Sequence, residues 1–350
     1  MSEQSSIEDF PSSVPSNTKI TLMGFSNNDA ALEFGEAMKG VLSACGRYID
    51  LSLLDGVTVG FDYDAALHSV DLGYESSFAK GYTNTGDLIG VAKTLRVRRD
   101  GVIKVHVVYN ANYLELLTHV NHPDLLATLN LVAHELGHVG VIAWFEQHSP
   151  GIMLQPFKGD WLRGQLLDAA HTCWEEFAAC RLASVFNHPI VEEDLLRMAT
   201  SQTKGAYESA HEIIKDYRTH GDLNRAVVGV VGVILNPIKY LSYYLGHRCG
   251  RQEHESSAID AEIFGDFAPF VDAIYEEFQK AWDARYEWDG LNGLNGLLNI
   301  ILKILSSVGM DIKLDYSENG NSSYVNFPFS PQTLPGGETT YQMMKLQGLI

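Results

Sequence analysis

The chain is poor in the features that would staple it, anchor it or attach it to a polyanion. Its 350 residues include only four cysteines, Cys45, Cys173, Cys180 and Cys249. They are widely spaced and form no C-x-x-C pair, so they read as reduced thiols rather than a disulfide framework. Long hydrophobic runs are missing: the longest, residues 226–235, stops after ten residues at Asn236-Pro237, whereas a membrane span needs about 20. The first 19 residues are rich in Ser, Pro and acids and lack a basic stretch followed by an apolar one, so no Sec-type leader is expected. Basic charge is also scarce, with Lys+Arg 25 against Asp+Glu 44 and a net charge of −19. Without clustered cations a protein cannot displace the counterions of a phosphate backbone, and an anionic membrane surface repels it. The expectation is a soluble, cytoplasmic protein with no direct nucleic-acid contact and no membrane.

What remains is ample for a large core, at 45% hydrophobic residues, without disulfide or metal staples. Residues 1–17 read as a disordered tail. Residues 18–115 are β-rich. Segments 19–25, 56–61, 90–97 and 103–109 are short, carry Val, Ile and Thr, and are bounded by Gly, Asp or Asn. Arg99-Asp100-Gly101 supplies a hairpin turn between the last two, and 30–48 has helical spacing. From 116 to 290 the pattern is helical, with helices expected from Pro123 to Val141 and at 164–186, 192–217 in two pieces, 237–246 and 263–286. The run 226–235 reads as a buried helix or strand. Residues 291–350 form an extension of unknown role, an apolar helix followed by a loop-rich tail. The fold class is α+β, a mostly antiparallel N-terminal sheet with helices followed by a helical subdomain.

The helix expected from Pro123 carries the informative pattern, His134-Glu135-Leu136-Gly137-His138. Two histidines four apart project from one helix face and can share one zinc ion, and the Glu between them can take a proton from water. The competing explanation is a pair of hydrogen-bonded core histidines. A metzincin extension would need Gly and His three and six residues past His138, where the chain has Val141 and Trp144. His148 reads as a surface residue. Two adjacent carboxylates, Glu175 and Glu176, occur on the next strong helix. Glu176 shares a line with Ala169, Thr172, Ala179, Cys180 and Ala183, small residues that permit close helix approach. Glu175 shares its line with Asp168 and His171, which looks like a solvated face. Glu176 is the preferred third ligand.

The pattern H134-E-L-G-H138, followed 38 residues later by E176-F-A-A-C-R-L-A, resembles the gluzincin metallopeptidases. Among them it is most similar to the ImmA/IrrE-type domain, where a Glu-x-x-Ala-Asn-x-x-Ala helix supplies the third ligand. The resemblance covers residues 134–183 and departs at Cys180, where those proteins carry Asp or Asn. It implies a zincin-like fold, a Zn²⁺ ion held by His134, His138 and Glu176, Glu135 as general base, and a peptide or protein substrate. It also implies an edge strand above the metal helix, for which 103–109 is the candidate and which can pair with an extended peptide.

Peptide hydrolysis by such a site needs an oxyanion donor besides the base. Tyr240, Tyr243, Tyr244, His247 and His254 cluster beyond the ligands, and His247 and Tyr244 are the first candidates for a catalytic role. An aromatic core stripe followed by a polar loop explains the same residues without function. A second metal site from His247, Cys249 and His254 fits no standard spacing. The leading expectation is a zinc-dependent metallopeptidase whose acidic surface favours basic peptides. The alternatives are a catalytically inactive zincin scaffold that binds or regulates, with a structural metal, and a non-metal α+β binding protein.

Overall fold

The computed structural model describes residues 10–76, 80, 84–85, 88–155, 157–251, 260–317 and 322–350. His254 and residues 1–9 of the expected tail lie outside them. Within the remainder of that tail, the Ser13 hydroxyl lies 2.8 and 2.9 Å from the carbonyl oxygens of Gly46 and Ile49.

The chain divides into two compact units. The first comprises Met1–Leu154, Ala178–Glu192 and Gly246–Glu253. Its elements are β1 (Lys19–Met23), α1 (Asn28–Cys45), β2 (Leu54–Gly60), α2 (Tyr63–Ser69), the short pair β3 (Asn84–Thr85) and β4 (Leu88–Ile89), then β5 (Ala92–Arg99), β6 (Val102–Asn110) and α3 (Leu125–His148). Local chemistry sets several boundaries. Asn27 caps α1 by accepting from the Ala30 N–H at 2.9 Å, and Asp62 does the same for Ala65 at the start of α2. Asp100 and Gly101 take φ of 51° and 81°, the two positive values that a two-residue hairpin turn between β5 and β6 requires. At α3 the start differs from expectation: Asp124 precedes the helix without a side-chain cap bond, and the helix runs to His148.

The main sheet has the order β1-β2-β6-β5. β1 pairs parallel to β2 and β2 parallel to β6, and only β5 is antiparallel. This corrects the expectation of a mostly antiparallel sheet. α1 connects β1 to β2, and a crossover of that length brings the chain back in the same direction. It also corrects the expected edge strand. β6, which covers 103–109, is paired on both sides, and β1 and β5 form the two edges. Short strands look alike in sequence, and their order depends on pairings between distant segments.

One face of the sheet presents Val57, Val59, Val105, Val107 and Tyr109 to Met38 and Leu42 of α1 and to Val132, Leu136 and Val139 of α3. The other face, with Leu95, Val97 and Val108, packs on Ala66 and Leu67 of α2. α3 is apolar all round because it is a core helix. It and Leu223–Arg251 are each long and apolar enough to cross a membrane by length and composition, and most of the apolar stretch of α3 is buried in the protein.

The second unit comprises Gln155–Phe177, Glu193–Leu245 and His254–Ile350. Its elements come from α4 (Trp161–Ala183), α5 (Pro189–Thr203), α6 (Ala206–His220), α7 (Leu223–Arg251), α8 (Ala268–Asp283), α9 (Asn295–Ser307), β7 (Asp311–Lys313), β8 (Tyr324–Asn326) and α10 (Gly337–Leu346). The chain of α4, α5 and α7 contributes to both units. Trp174 packs on Phe177, Trp282 and Trp288, and Phe177 stacks on Phe278 at 4.7 Å between ring centroids. The helix expected at 237–246 extends from 223 to 251 with Pro237 inside it, so 226–235 is helix. The segment expected to be a loop-rich tail contains a strand pair, β7 with β8, and α10.

Within the first unit, α3 meets the end of α4 at close range. A Cβ on Gly137 would lie 2.9 Å from the Ala179 Cα and 3.0 Å from its carbonyl oxygen. Asn130 adds hydrogen bonds from its amide to the carbonyls of Ala183 and Phe186 at 2.9 and 3.3 Å. Because the obstructing atoms are backbone, Gly137→Ala is expected to destabilise the protein by about 1–3 kcal/mol through overpacking, measured as a lower urea midpoint at unchanged m-value.

Candidate metal centre

α3 brings three ligand-capable side chains together. His134, Glu135 and His138 each place a ligand atom within 4.8 Å of the others, and among the described residues they form the sole such group. The two imidazoles are perpendicular, at 86° between rings, and their Nε2 atoms lie 3.2 Å apart. Two nitrogens bound tetrahedrally to one zinc at ~2.0–2.1 Å are separated by about 3.3 Å, so the spacing fits a shared ion. The cluster could hold a metal ion, and the arrangement is compatible with an H-E-x-x-H site.

Two of the three members are met by a neighbour outside the group. Nδ1 of His134, on the ring side away from Nε2, lies 3.4 Å from the Cys180 sulfur. Cys180, a small residue on the line of Glu176, therefore touches the far side of the His134 ring, the place where partners that set the tautomer and orientation of metal-binding histidines are found. Glu135 is buried, and its Oε2 accepts a 2.7 Å hydrogen bond from the Thr94 hydroxyl on β5. Sequence reasoning passed over Thr94. Its signal was present, since alternation along a strand puts residues 92, 94 and 96 on one face, but which face meets α3 depends on the fold.

The other expected site residues are placed as follows. Glu176 belongs to the second unit and is 8% exposed. Its Oε1 accepts from the Tyr243 hydroxyl at 2.7 Å and lies 3.3 Å from the Lys239 ammonium. Lys239 and Tyr243 are one turn apart on α7, a spacing readable in sequence once that face is known to meet a carboxylate. Burial lowers the Lys239 pKa, but the charge and the hydrogen bond of Glu176, with smaller contributions from Tyr240 and Cys173, together outweigh it and hold the group above its usual value. Tyr244 is 3% exposed and packs its ring on Phe264 in the second unit. Glu175 corrects an expectation: its line is not solvated, for His171 is 2% exposed and sits 3.6 Å from the Glu175 carboxylate. α4 is covered on more than one side, so a polar line along it need not face water.

His247 belongs to the first unit, with the triad. It is 1% exposed, and neither ring nitrogen has a hydrogen-bond partner among the described residues. Burial, with a smaller contribution from the charge of His134, pushes its pKa down to about 4. An unfolded histidine titrates near ~6.5. Between these values the unfolded chain binds the proton and the folded chain does not, so stability falls as pH falls. Denaturant titrations of the metal-free protein are expected to show this loss below pH ~6.5, with a contribution from this residue approaching about 1.4 kcal/mol per pH unit. His247→Gln should flatten that part of the profile.

No protein-family model, no curated protein and no solved structure matches this chain.

Proposed function

We propose that the protein is a soluble zinc-dependent metallopeptidase acting on peptide or protein substrates. The observation that carries this reading is the convergence of His134 and His138 at ligand spacing with a buried, hydrogen-bonded carboxylate, Glu135, beside them. A site that used metal only to staple the fold has no need of a proton acceptor at that position.

His134 and His138 would hold the ion through Nε2, and we assign Glu176 as the third ligand on the sequence pattern. A carboxylate ligand is normally fixed by hydrogen bonds to its other oxygen, and Tyr243 and Lys239 provide such partners at Oε1. Zinc bound there would supply a Lewis acid and a water acidified towards neutral pH. With Oε2 of Glu135 engaged by Thr94, Oε1 is the atom that accepts the proton from water. The same oxygen then returns it to the leaving amine. His247, as a neutral imidazole, carries one N–H and is assigned as donor to the substrate oxyanion. Tyr244 is left as a packing residue.

The substrate backbone would pair with β5, the strand that carries Thr94. The ladder parity fixes which groups are available. The Asn110 N–H bonds the Val91 carbonyl, so in this antiparallel register residues 93, 95, 97 and 99 face β6 and residues 92, 94, 96 and 98 face outward. The outward groups farther along are engaged: the Arg98 N–H bonds the Leu72 carbonyl, and Tyr74 donates to the Arg96 carbonyl at 3.0 Å. Among the described residues nothing pairs with the outer side of Ala92 and Thr94. An extended peptide can add there by main-chain hydrogen bonds, and the acidic protein favours a basic one.

The test is metal content with proteolysis of a casein substrate. Purified protein is expected to carry about one zinc per chain, lost in His138→Ala and in Glu176→Ala but kept in Glu175→Ala. Glu135→Gln should keep the metal and lose at least about a hundredfold in cleavage rate, the usual size of a general-base contribution. Bound zinc with no cleavage by the wild type would favour a non-catalytic scaffold with a structural metal.

A further inference from the structure

Thr94 is the residue at which two parts of the site meet. By the register of β5 its main-chain N–H and C=O point away from β6, to the side where no described residue pairs with them, while its side chain crosses to α3 and bonds the Glu135 carboxylate at 2.7 Å. The hydroxyl also lies 3.2 Å from the Glu135 carbonyl. A hydroxyl has one proton, and the shorter contact to the charged oxygen takes it. We infer that Thr94 is a positioning residue that couples peptide pairing at the strand edge to the orientation of Glu135. This rests on the peptidase reading and adds a regulatory property to it.

The physical basis is the stiffness of the connection. Thr is branched at Cβ, so its hydroxyl direction follows the backbone of the strand with little rotamer freedom. A segment at a sheet edge is held by ladder bonds on one side only. Bonds from an added peptide to Thr94 would hold the other side, and with it the hydroxyl that fixes Oε2. Glu135 would then be best oriented when a peptide occupies the edge, because small misplacements of a reacting group are costly in rate. No other described side chain hydrogen-bonds the Glu135 carboxylate, so the coupling has a single point of failure.

The experiment uses the full chain reconstituted with Co²⁺, whose visible bands report the groups around the ion. Thr94→Val removes the hydroxyl at nearly constant shape, Thr94→Ser keeps it, and Glu135→Gln supplies the reference for a perturbed carboxylate. The inference expects Thr94→Val to bind Co²⁺ as tightly as wild type, with its bands moved in the direction seen for Glu135→Gln. Thr94→Ser should retain the wild-type bands. On casein, Thr94→Val should lose about tenfold in kcat with little change in KM, and Thr94→Ser should recover most of it. Wild-type bands in Thr94→Val alongside shifted bands in Glu135→Gln would overturn the inference and leave the peptidase reading standing. A wild type that binds no Co²⁺ would overturn both. Co²⁺ binding with the expected band shifts but no casein cleavage would overturn the peptidase reading and with it the coupling to peptide pairing, leaving Thr94 only as the residue that orients Glu135.

Discussion

The buried hydroxyl of Tyr109 donates to the Val132 carbonyl at 2.9 Å, and on this seat of α3 against the sheet the first unit depends. Burial and the neighbouring Glu135 charge raise the Tyr109 pKa well above its usual value, so the group stays a donor throughout the ordinary pH range. Val132 is one turn before Glu135. The adjacent strand supplies Thr94 to Glu135 itself, so two hydroxyls from neighbouring strands fix one stretch of helix in rotation and height. His134 and His138 inherit their direction from that placement, since side chains three and four apart lie on one face. On its other side the helix is held by contact with Ala179, tolerable only because residue 137 has no side chain.

The parts of this arrangement legible in sequence are those encoded locally. The H-E-x-x-H spacing is a property of one helix, and the structure brings those ligand atoms together. The turn at Asp100-Gly101 is equally local, because only residues that accept positive φ serve there. The small residues after Glu176 were read as allowing close helix approach, and Ala179 beneath Gly137 shows that approach. Sheet order was not legible. Strand composition does not reveal what lies on each side of a strand, so nothing local to 103–109 distinguishes an edge from the interior position that β6 occupies. The helix from 223 to 251 was split at Pro237, since proline removes one helical hydrogen bond; the apolar turns on either side bury enough surface to carry the helix through.

The second unit shows how a single step along a helix separates two carboxylates. Glu175 and Glu176 differ by about 100° in direction. One pairs with His171 on its own helix, and the other meets Lys239 and Tyr243 of α7. Both are mostly buried, and an unpartnered carboxylate there would be driven to its neutral form. The line through His171 was misread because a polar residue on a helix usually marks the wet side. Here it marks a buried histidine paired with a carboxylate one turn on.

The half-closed edge of β5 has one more consequence, for the company the molecule keeps. An exposed strand edge is a template for indefinite pairing between copies, and proteins that leave one open tend to interrupt it. Leu72 and Tyr74 take up the outward groups of Arg98 and Arg96, so a second chain cannot run the length of the strand. On β5 the outward groups that no described residue pairs with are those of Ala92 and Thr94, a much shorter template than the whole strand. A chain that adds beside Thr94 is thereby limited to a few main-chain bonds before it meets the groups of Arg96 and Arg98 that Tyr74 and Leu72 already occupy.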